Sequence, residues 1–353
     1  MSRKLYFASF PAGTHHIVKD ILINKIPDLV IHQLFEGAVL FETEKAFNKI
    51  DIPCFNNVFS VIKYSSKKNT GSMEQFISDI IRSKEQSEII GRAKDKRRQT
   101  FRVIFSSENQ LVSIDGKLRS RLEKFIYSQS GLIIDRENPD VEFWAAYRTE
   151  AFYYFMKRLT RHRAYEKILN KGELHPETAF LMNWLSEADK NDVFLDPFCG
   201  YGAIPAGRAS NFPAMKLCAF DCDQKMADIT RRKILKGKLP AKTENIFIRQ
   251  LDIKNLDKEI PAESVDRIVT DPPWGLFRTT ETDIESFYGL ALLQMEKALK
   301  INGIMVLLLS RQTDTEALIN NLPNLKITEQ YKILVSGKKA NLVKIKKINT
   351  QRS

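Results

Sequence analysis

Apolar segments in the second half of the chain are short, and the first four of them are each followed by an acidic residue. Uniformly apolar runs rich in β-branched and aromatic side chains predict buried strands. We expect strands at the start of Asp192–Gly202 and over Met215–Phe220, Ile246–Arg249, Arg267–Thr270, Ile304–Leu309, Ile327–Val335 and Asn341–Ile345, with helices over Glu173–Glu187, Ala203–Ala209 and Asp283–Leu299. Strands that alternate with helices predict an α/β fold with a parallel sheet.

The first half of the chain contains two successive sets of strand-like and helical segments. Residues 1–64 predict a small α+β, ferredoxin-like unit, with strands at Leu5–Ser9, Val39–Glu42 and Asn57–Lys63 and a helix at Thr14–Lys25. The pattern then restarts, with helices at Met73–Ser83 and Arg119–Ser130 and strands at Thr100–Ser106, Leu132–Asp135 and Val141–Arg148. A basic stretch, Arg158–Gly172, predicts a linker.

A glycine loop follows the first apolar strand of the second half. The segment Asp196-Pro-Phe-Cys-Gly-Tyr-Gly202 carries Gly200 and Gly202, which let the backbone approach a ligand closely. Strand, loop and helix at a first crossover is where open α/β sheets bind nucleotides. The loop is neither a dinucleotide fingerprint nor a P-loop. Asp196 suits a cationic sulfonium cofactor better than a phosphate.

Two later strand ends add acids of the same kind. Asp221, beside Cys222, is placed to accept hydrogen bonds from ribose hydroxyls. Asp252, beside Ile253, is placed to face an adenine amine. A single acid after a strand is usually a solvated turn residue, so only the complete series indicates a cofactor site. We assign to cofactor binding Asp196, Phe198, Cys199, Gly200, Gly202, Asp221, Cys222, Asp252 and Ile253.

The strand Arg267–Thr270 ends in Asp271-Pro-Pro-Trp-Gly275. Two prolines stop the strand and leave the carbonyl groups of Asp271 and Pro272 without β-partners. A carboxylate, a free carbonyl and the flat ring of Trp274 predict a socket for a planar amine on a base. A plain proline-rich turn would explain the tetrapeptide alone equally well. We assign Asp271, Pro272 and Trp274 as catalytic.

The net charge of +12 favours a polyanionic partner. Basic runs occur in several places, and each alone is more often a solvated face. One combines Lys157 and Arg158 with the aromatic residues Tyr153, Tyr154 and Phe155. Together with a base-amine motif, these runs favour RNA phosphate. The candidate phosphate contacts are Arg92, Lys94, Lys96, Arg97 and Arg98.

Cysteine and histidine patterns predict neither disulfides nor metal sites. The four cysteines form no paired C-x-x-C, and the five histidines lack ligand spacing. The start of the chain lacks a long apolar stretch, so we expect no signal peptide, and no run has the length of a membrane span. We expect a reduced, metal-free, cytosolic protein without a membrane partner.

These strand-end motifs, taken as a set, resemble a class I S-adenosylmethionine-dependent methyltransferase. Asp271–Gly275 is similar to the catalytic motif of members that methylate exocyclic base amines. Upstream, Gly172–Ala179 and Asn138–Glu142 resemble the THUMP-domain tRNA guanine-N2 methyltransferases. The match covers nearly the whole chain, and the methyltransferase motifs are its specific part.

The resemblance implies three domains. These are an N-terminal ferredoxin-like domain (1–64), a THUMP RNA-binding domain (65–159) and, after a linker, a Rossmann-like methyltransferase domain with a seven-stranded sheet (160–353). It also implies S-adenosyl-L-methionine as cofactor and tRNA as substrate. The expected reaction is methylation of a guanosine N2 amine, at acceptor-stem position 6 first and position 10 next. We expect a monomer and leave an accessory subunit open.

Some residues depart from the family pattern. Tyr201 replaces a small residue, Gly207 an acid and His175 an arginine; Pro205 stands in a first helical turn, and Trp274 replaces a tyrosine. They leave pocket details and the target open. The alternatives are a ribosomal-RNA guanine-N2 or an adenine-N6 methyltransferase, and a catalytically silent RNA-binding or assembly protein.

Overall fold

The computed structural model describes residues 3–47, 52–83, 99–160, 169–236, 245–275 and 284–349. Contacts within the chain divide it into two units. The first comprises Met1–Ser9 and Ile21–Lys167, and the second comprises Phe10–Asp20 and Ile168–Ser353. A short N-terminal segment therefore belongs with the C-terminal half.

One nine-stranded sheet forms the first unit, in the order β2-β3-β1-β4-β9-β8-β5-β6 with β7 beside β5. Both predicted N-terminal parts contribute strands to it, and the division at residue 64 and the THUMP assignment stay predictions. The strands are β1 (Lys4–Ser9), β2 (Val30–Leu34), β3 (Ala38–Thr43), β4 (Asn57–Ser66), β5 (Thr100–Ser107), β6 (Gln110–Leu111), β7 (Ile133–Ile134), β8 (Val141–Tyr147) and β9 (Phe152–Arg158). The helices are α1 (His15–Lys25), α2 (Met73–Arg82) and α3 (Gly116–Ser130), of which α1 begins in the segment belonging to the second unit.

The basic and aromatic run at Tyr153–Arg158, interpreted from the sequence as an RNA-binding surface, lies instead in strand β9. Tyr153 and Phe155 pack in one core cluster, and Tyr154 packs in another. Successive strand residues point to opposite faces, so this alternation is that of a central strand covered on both sides. The Arg158 side chain is 6% exposed and pairs with Glu142 at 2.9 Å. These side chains serve the core of the first unit.

The second unit contains the predicted seven-stranded sheet, in the order β12-β11-β10-β13-β14-β16-β15. Its strands are β10 (Val193–Asp196), β11 (Lys216–Asp221), β12 (Asn245–Gln250), β13 (Val265–Thr270), β14 (Leu299–Ser310), β15 (Leu325–Val335) and β16 (Lys338–Lys347). All neighbours are parallel except the pairs made by β16, which is antiparallel to β14 and β15. The α/β Rossmann-like fold and the antiparallel edge are confirmed.

Helices connect these strands. They are α4 (Pro176–Leu185), α5 (Ala203–Asn211), α6 (Gln224–Lys236), α7 (Ile284–Ala298) and α8 (Thr315–Asn320), and a 3-10 helix spans Ile253–Lys258. Strand residues such as Leu195, Ile268 and Met305 are fully buried in a core that they share with α7. Burial on both faces explains why the central strands β10 and β14 contain long apolar runs. Among the helices described, none has the length and apolar character to cross a membrane.

Candidate active site

Three acidic residues lie at one edge of the second unit's sheet. Asp196 ends β10, Asp221 ends β11, and Asp271 directly follows β13. Strand β10 pairs in parallel with both β11 and β13, so their carboxyl ends are neighbours. The structure thus brings together three of the acids predicted from the sequence. This edge is where open α/β sheets bind ligands.

Asp196 is fully buried. Its Oδ1 accepts hydrogen bonds from the Thr270 hydroxyl at 2.7 Å and the Phe198 amide at 3.2 Å. Its Oδ2 is buried and accepts none from the described residues. Burial raises the pKa of Asp196 to about 7, and the charges of Asp221 and Asp271 add to the effect. Such an oxygen is costly to bury unless a donor or a cation binds beside it.

The glycine loop between β10 and α5 is held by hydrogen bonds from its neighbours. Gly200 donates from its amide to Asp221 Oδ2 at 3.0 Å, and its carbonyl accepts from the Thr230 hydroxyl at 2.9 Å. Both glycines have left-handed backbone, with φ of +48° at Gly200 and +79° at Gly202. A Cβ on Gly202 would lie 2.7 Å from Thr230 Oγ1, whereas one on Gly200 would meet none of the described atoms within 4 Å. The loop is tightly packed below Gly202 and open beside Gly200.

The other loop residues assigned to the cofactor occupy different environments. Phe198 is half-buried, with its ring centroid 5.8 Å from that of Phe287. Cys199 is buried, and burial raises the pKa of its thiol. Cys222 is exposed. A direct role for each in binding the cofactor stays a prediction.

Asp221 and Asp252 both accept hydrogen bonds from the backbone. Asp221 Oδ1 accepts from the Asp223 amide at 2.9 Å, and each carboxylate oxygen retains capacity for a further donor. Asp252 is exposed and caps the 3-10 helix by accepting from the Lys254 amide at 3.0 Å. Ile253 is buried in the hydrophobic core. Contacts of Asp252 and Ile253 with an adenine ring stay predictions.

The turn after β13 positions the Asp271 carboxylate through Trp274. The indole Nε1 donates to Asp271 Oδ1 at 2.9 Å and lies 3.3 Å from the Leu308 carbonyl oxygen, a second acceptor. Within the described residues, Asp271 Oδ2 and the Pro272 carbonyl have no donor. Burial raises the pKa of Asp271 to about 7, whereas the hydrogen bond from Trp274 lowers this pKa. Two acceptors on one turn therefore lack a donor among the described residues.

Other residues singled out in the sequence have structural partners. Glu173 pairs with Lys233 at 2.6 Å, and His175 is the N-cap residue of α4 without a side-chain capping bond. Pro205 stands in the first turn of α5, where a proline costs no helical hydrogen bond. The predicted phosphate contacts lie outside the described residues: Arg92, Lys94, Lys96, Arg97 and Arg98.

Comparison with known proteins agrees with this arrangement. A family model described as UPF0020, an RMKL-like methyltransferase domain, matches residues 163–341, which is half of the chain. The chain belongs to this family. The predictions of a methyltransferase fold and of S-adenosylmethionine-dependent methyl transfer are therefore confirmed.

Individual relatives extend the comparison. The chain is 31% identical over 155 residues to a "Probable tRNA (guanine(10)-N2)-dimethyltransferase" of Methanothermococcus thermolithotrophicus, covering 43% of this chain and 85% of that protein. It is 27% identical over 224 residues to the U6 snRNA (guanine-N(2))-methyltransferase THUMPD2 of Mus musculus, covering 62% of this chain but only 40% of that protein. The crystal structure of TrmN from Thermus thermophilus has a TM-score of 0.74 at 19% identity, covering 98% of this chain and 100% of that one.

The residues of this methyltransferase fit its cofactor. S-adenosylmethionine carries a sulfonium charge, and a cation beside Asp196 Oδ2 would satisfy the unpartnered oxygen. Open space beside Gly200 admits a ligand against the loop backbone. Asp221 retains capacity for the ribose hydroxyl groups. When bound, the cofactor supplies an electrophilic methyl group.

Sequence reasoning missed three residues that hold the methyltransferase site together. Thr270 donates to Asp196, Thr230 supports the Gly200 carbonyl, and the Tyr288 hydroxyl donates to the Pro273 carbonyl at 3.0 Å. Thr270 stood next to a recognised motif and was taken only as a strand residue. Thr230 and Tyr288 lie within helices, and the sequence carries no signal for their tertiary hydrogen bonds.

Proposed function

We propose that this methyltransferase transfers a methyl group to the exocyclic N2 amine of a guanosine in tRNA. The observation that carries the proposal is a pair of acceptors on one turn, Asp271 Oδ2 and the Pro272 carbonyl, which have no donor among the described residues and lie near the buried Asp196. An exocyclic amine has two N–H donors, and two acceptors at fixed positions match them. The guanine N2 methyltransferase names of the relatives support this choice of amine.

The mechanism follows from the chemistry of that amine. Its lone pair is delocalised into the guanine ring, which makes the nitrogen a poor nucleophile. Hydrogen bonds to Asp271 and to the Pro272 carbonyl localise the lone pair and stabilise the positive charge that grows on nitrogen. The nitrogen gains the methyl group and gives up one proton, for which Asp271 Oδ2 is the acceptor. No covalent intermediate with the protein is needed, so positioning supplies much of the rate.

The target nucleotide leaves its stack to reach this turn. Enzymes that act on base atoms extrude the nucleotide, which costs a few kcal/mol. Stacking on the Trp274 ring would return about 1–3 kcal/mol. The indole N–H already binds Asp271, so the ring would stack while its nitrogen holds the carboxylate. In this proposal Trp274 has both roles.

Two positions in tRNA are candidates for the target. The resemblance in the sequence pointed first to acceptor-stem position 6, and the name of the archaeal relative favours position 10. The two make different predictions in a fragment-mapping experiment. We further propose that the protein acts on tRNA in the cytoplasm as a monomer.

A second candidate is guanosine N2 methylation of another small RNA. It is favoured by the match to the U6 snRNA methyltransferase, which covers more of this chain than the archaeal match does. Adenine-N6 methylation has no comparable support. A silent RNA-binding role is disfavoured because the acids of the site are all present.

The deciding experiment is incubation with unmodified tRNA and labelled cofactor, followed by nucleoside mass spectrometry. We expect labelled N2-methylguanosine, mapped by nuclease fragments to position 6 or 10. Asp271→Asn should lower transfer at least about a hundredfold while cofactor affinity stays within about twofold. Asp257→Asn, which changes an exposed acid of the 3-10 helix, is the matched control and should leave both unchanged.

Two results would contradict the proposal. Label on adenosine, or only on another RNA when both are offered, would reject the tRNA guanosine assignment. Equal loss of transfer and cofactor binding in Asp271→Asn would make Asp271 a cofactor or structural residue.

A further inference from the structure

The first two turns of α7 touch both halves of the active site. A Cβ on Gly275, in the catalytic turn, would lie 3.5 Å from Ile284 Cδ1. Phe287 packs against Phe198 of the cofactor loop, with ring centroids 5.8 Å apart. Tyr288 donates from its hydroxyl to the Pro273 carbonyl at 3.0 Å. Residues three and four apart share one helical face, so this face is built for contact with the site.

The Tyr288 side chain is almost completely buried. It is 2% exposed and belongs to the hydrophobic core of the second unit. Its ring and Pro272 line a small apolar pocket, together with Leu307 and Leu309 of β14. Burial raises the pKa of Tyr288 to about 12, with Thr313 lowering it and the Asp271 charge adding to it. The hydroxyl is therefore a fixed neutral donor over the range in which the protein works.

The Pro273 carbonyl controls where the rest of the turn lies. Proline fixes φ, so the remaining freedom of Pro273 is the rotation that swings its carbonyl and carries Trp274 with it. The Trp274 indole in turn donates to Asp271 Oδ1 at 2.9 Å. A shift of the Pro273 carbonyl would therefore move the Trp274 ring and, through its hydrogen bond, the Asp271 carboxylate.

We propose that Tyr288 is a positioning residue that aligns the Asp271–Trp274 turn with the cofactor loop. The proposal rests on the methyl-transfer function assigned to that turn. Tyr288 acts through Pro273 and Trp274 and touches no reacting atom. Its neighbour Phe287 ties the same helical turn to Phe198, so a single helix sets the spacing between the methyl donor and the amine.

The test is Tyr288→Phe, which keeps the ring in its pocket and removes only the hydroxyl. A misplacement below one ångström at the reacting atoms costs up to about a hundredfold. We expect kcat to fall about tenfold or more, with the KM for RNA and the cofactor Kd each within about twofold. The control is Tyr331→Phe, which removes a tyrosine hydroxyl bonded to Glu329 on β15 of the same unit. It should leave kcat unchanged.

A double-mutant cycle tests whether Tyr288 influences kcat through Trp274. Trp274→Phe removes the indole donor, and if both residues hold one turn, the losses from the two substitutions should be less than additive. Full additivity would contradict the proposal. So would a kcat for Tyr288→Phe within twofold of the wild-type protein, or a loss of kcat matched by the same loss of cofactor affinity.

A spectroscopic readout separates this inference from the proposed substrate. The fluorescence of Trp274, taken as the difference from Trp274→Phe, should titrate with Asp271 near the pKa of about 7. In Tyr288→Phe the midpoint should move towards the ordinary carboxyl range, because a loosened turn admits water. An unmoved midpoint overturns the inference whatever RNA is methylated. A moved midpoint in a protein that does not methylate guanosine supports the inference and rejects the proposed substrate.

Discussion

Two neighbouring carboxyl groups dominate the chemistry at the scale of single residues. Burial raises the pKa values of both Asp196 and Asp271 to about 7. Acids with strongly shifted pKa values cluster at functional sites. They lie at the carboxyl ends of adjacent strands, and each has one carboxyl oxygen without a donor in the described residues. One therefore suits the cationic cofactor and the other the amine.

The rate of methyl transfer should depend on pH through Asp271. Below its pKa of about 7 the carboxyl is protonated and a weak acceptor, and above it the carboxylate is available. We expect kcat to rise with pH between about 6 and 8 and then level off. Among the described residues, Asp196, Trp274 and Tyr288 lie near Asp271, and of these Asp196 alone titrates in this range. Single-turnover rates across this range, with both substrates saturating, provide the measurement, and a flat profile would contradict the expectation.

Asp196→Asn should have opposite effects on binding and stability. The folded-state pKa of about 7 lies above the unfolded value near 3.9. The folded protein thus binds more protons between these values, and stability is lost as pH rises from about 4 to about 7. Removal of the carboxyl should raise Tm at pH 8 by more than it does at pH 5. Cofactor affinity should nevertheless fall about tenfold or more.

Thermal melts at the two pH values and calorimetric titration with the cofactor test this pair of effects. Asp257→Asn, in the exposed part of the 3-10 helix, is the control for loss of an acid. A lower Tm at pH 8 for Asp196→Asn would show that the charged carboxylate stabilises the fold.

At the scale of elements, the two glycines of the loop have different roles. One leaves room for a ligand, and the other packs against the protein. Gly200 faces open space, whereas Gly202 packs against Thr230. Both need left-handed backbone, so an alanine at either costs about 1 kcal/mol in strain. Only at Gly202 does it add a steric clash.

Three alanine variants test this separation. Gly200→Ala should fold with a stability loss of about 1 kcal/mol and lose most of its cofactor affinity. Gly202→Ala should lose a further 1–3 kcal/mol or so. Gly131→Ala lies at the end of α3, with φ of +72° and none of the described atoms within 4 Å of its Cβ. It adds backbone strain without a steric clash and should bind cofactor normally. Denaturant unfolding and cofactor titration give both quantities, and normal binding by Gly200→Ala would place the cofactor elsewhere.

The sequence predicted elements best where one physical signal determined them. The strands of the second unit were found because apolar runs ended at acids and glycines. Strand β9 was missed because Lys157 and Arg158 follow its aromatic residues, and the run was taken for a surface. Strand β2 was missed because its residues are half-buried or exposed. Tyr288 could not be found, because its hydrogen bond joins residues fifteen apart through the tertiary fold.

At the scale of the whole molecule, charge should govern RNA affinity. The net charge is +12, and the basic run Arg92–Arg98 stays the predicted phosphate-binding segment. Replacement of Arg97 and Arg98 by alanine should weaken tRNA binding and reduce the dependence of log K on log salt by about one unit for each phosphate that the variant no longer neutralises. Filter binding at several salt concentrations measures this slope. Arg121→Ala, an exposed residue of α3 outside the run, should leave the slope unchanged.

The double variant should also retain its cofactor affinity, because the assigned cofactor residues all lie in the second unit. If the salt slope is unchanged, Arg97 and Arg98 do not contact RNA phosphates, and the run is not part of the RNA-binding surface.

Segment Phe10–Asp20 has a consequence for how the protein is made and dissected. It belongs to the second unit: the Ala12 carbonyl accepts from the Leu334 amide, and Asp20 accepts from the Trp184 indole at 3.0 Å. A ribosome therefore releases this piece of the catalytic half more than three hundred residues before its partner strand is complete. A fragment that starts at residue 168 would leave that surface bare, and adding a peptide of residues 10–20 in trans should restore its solubility.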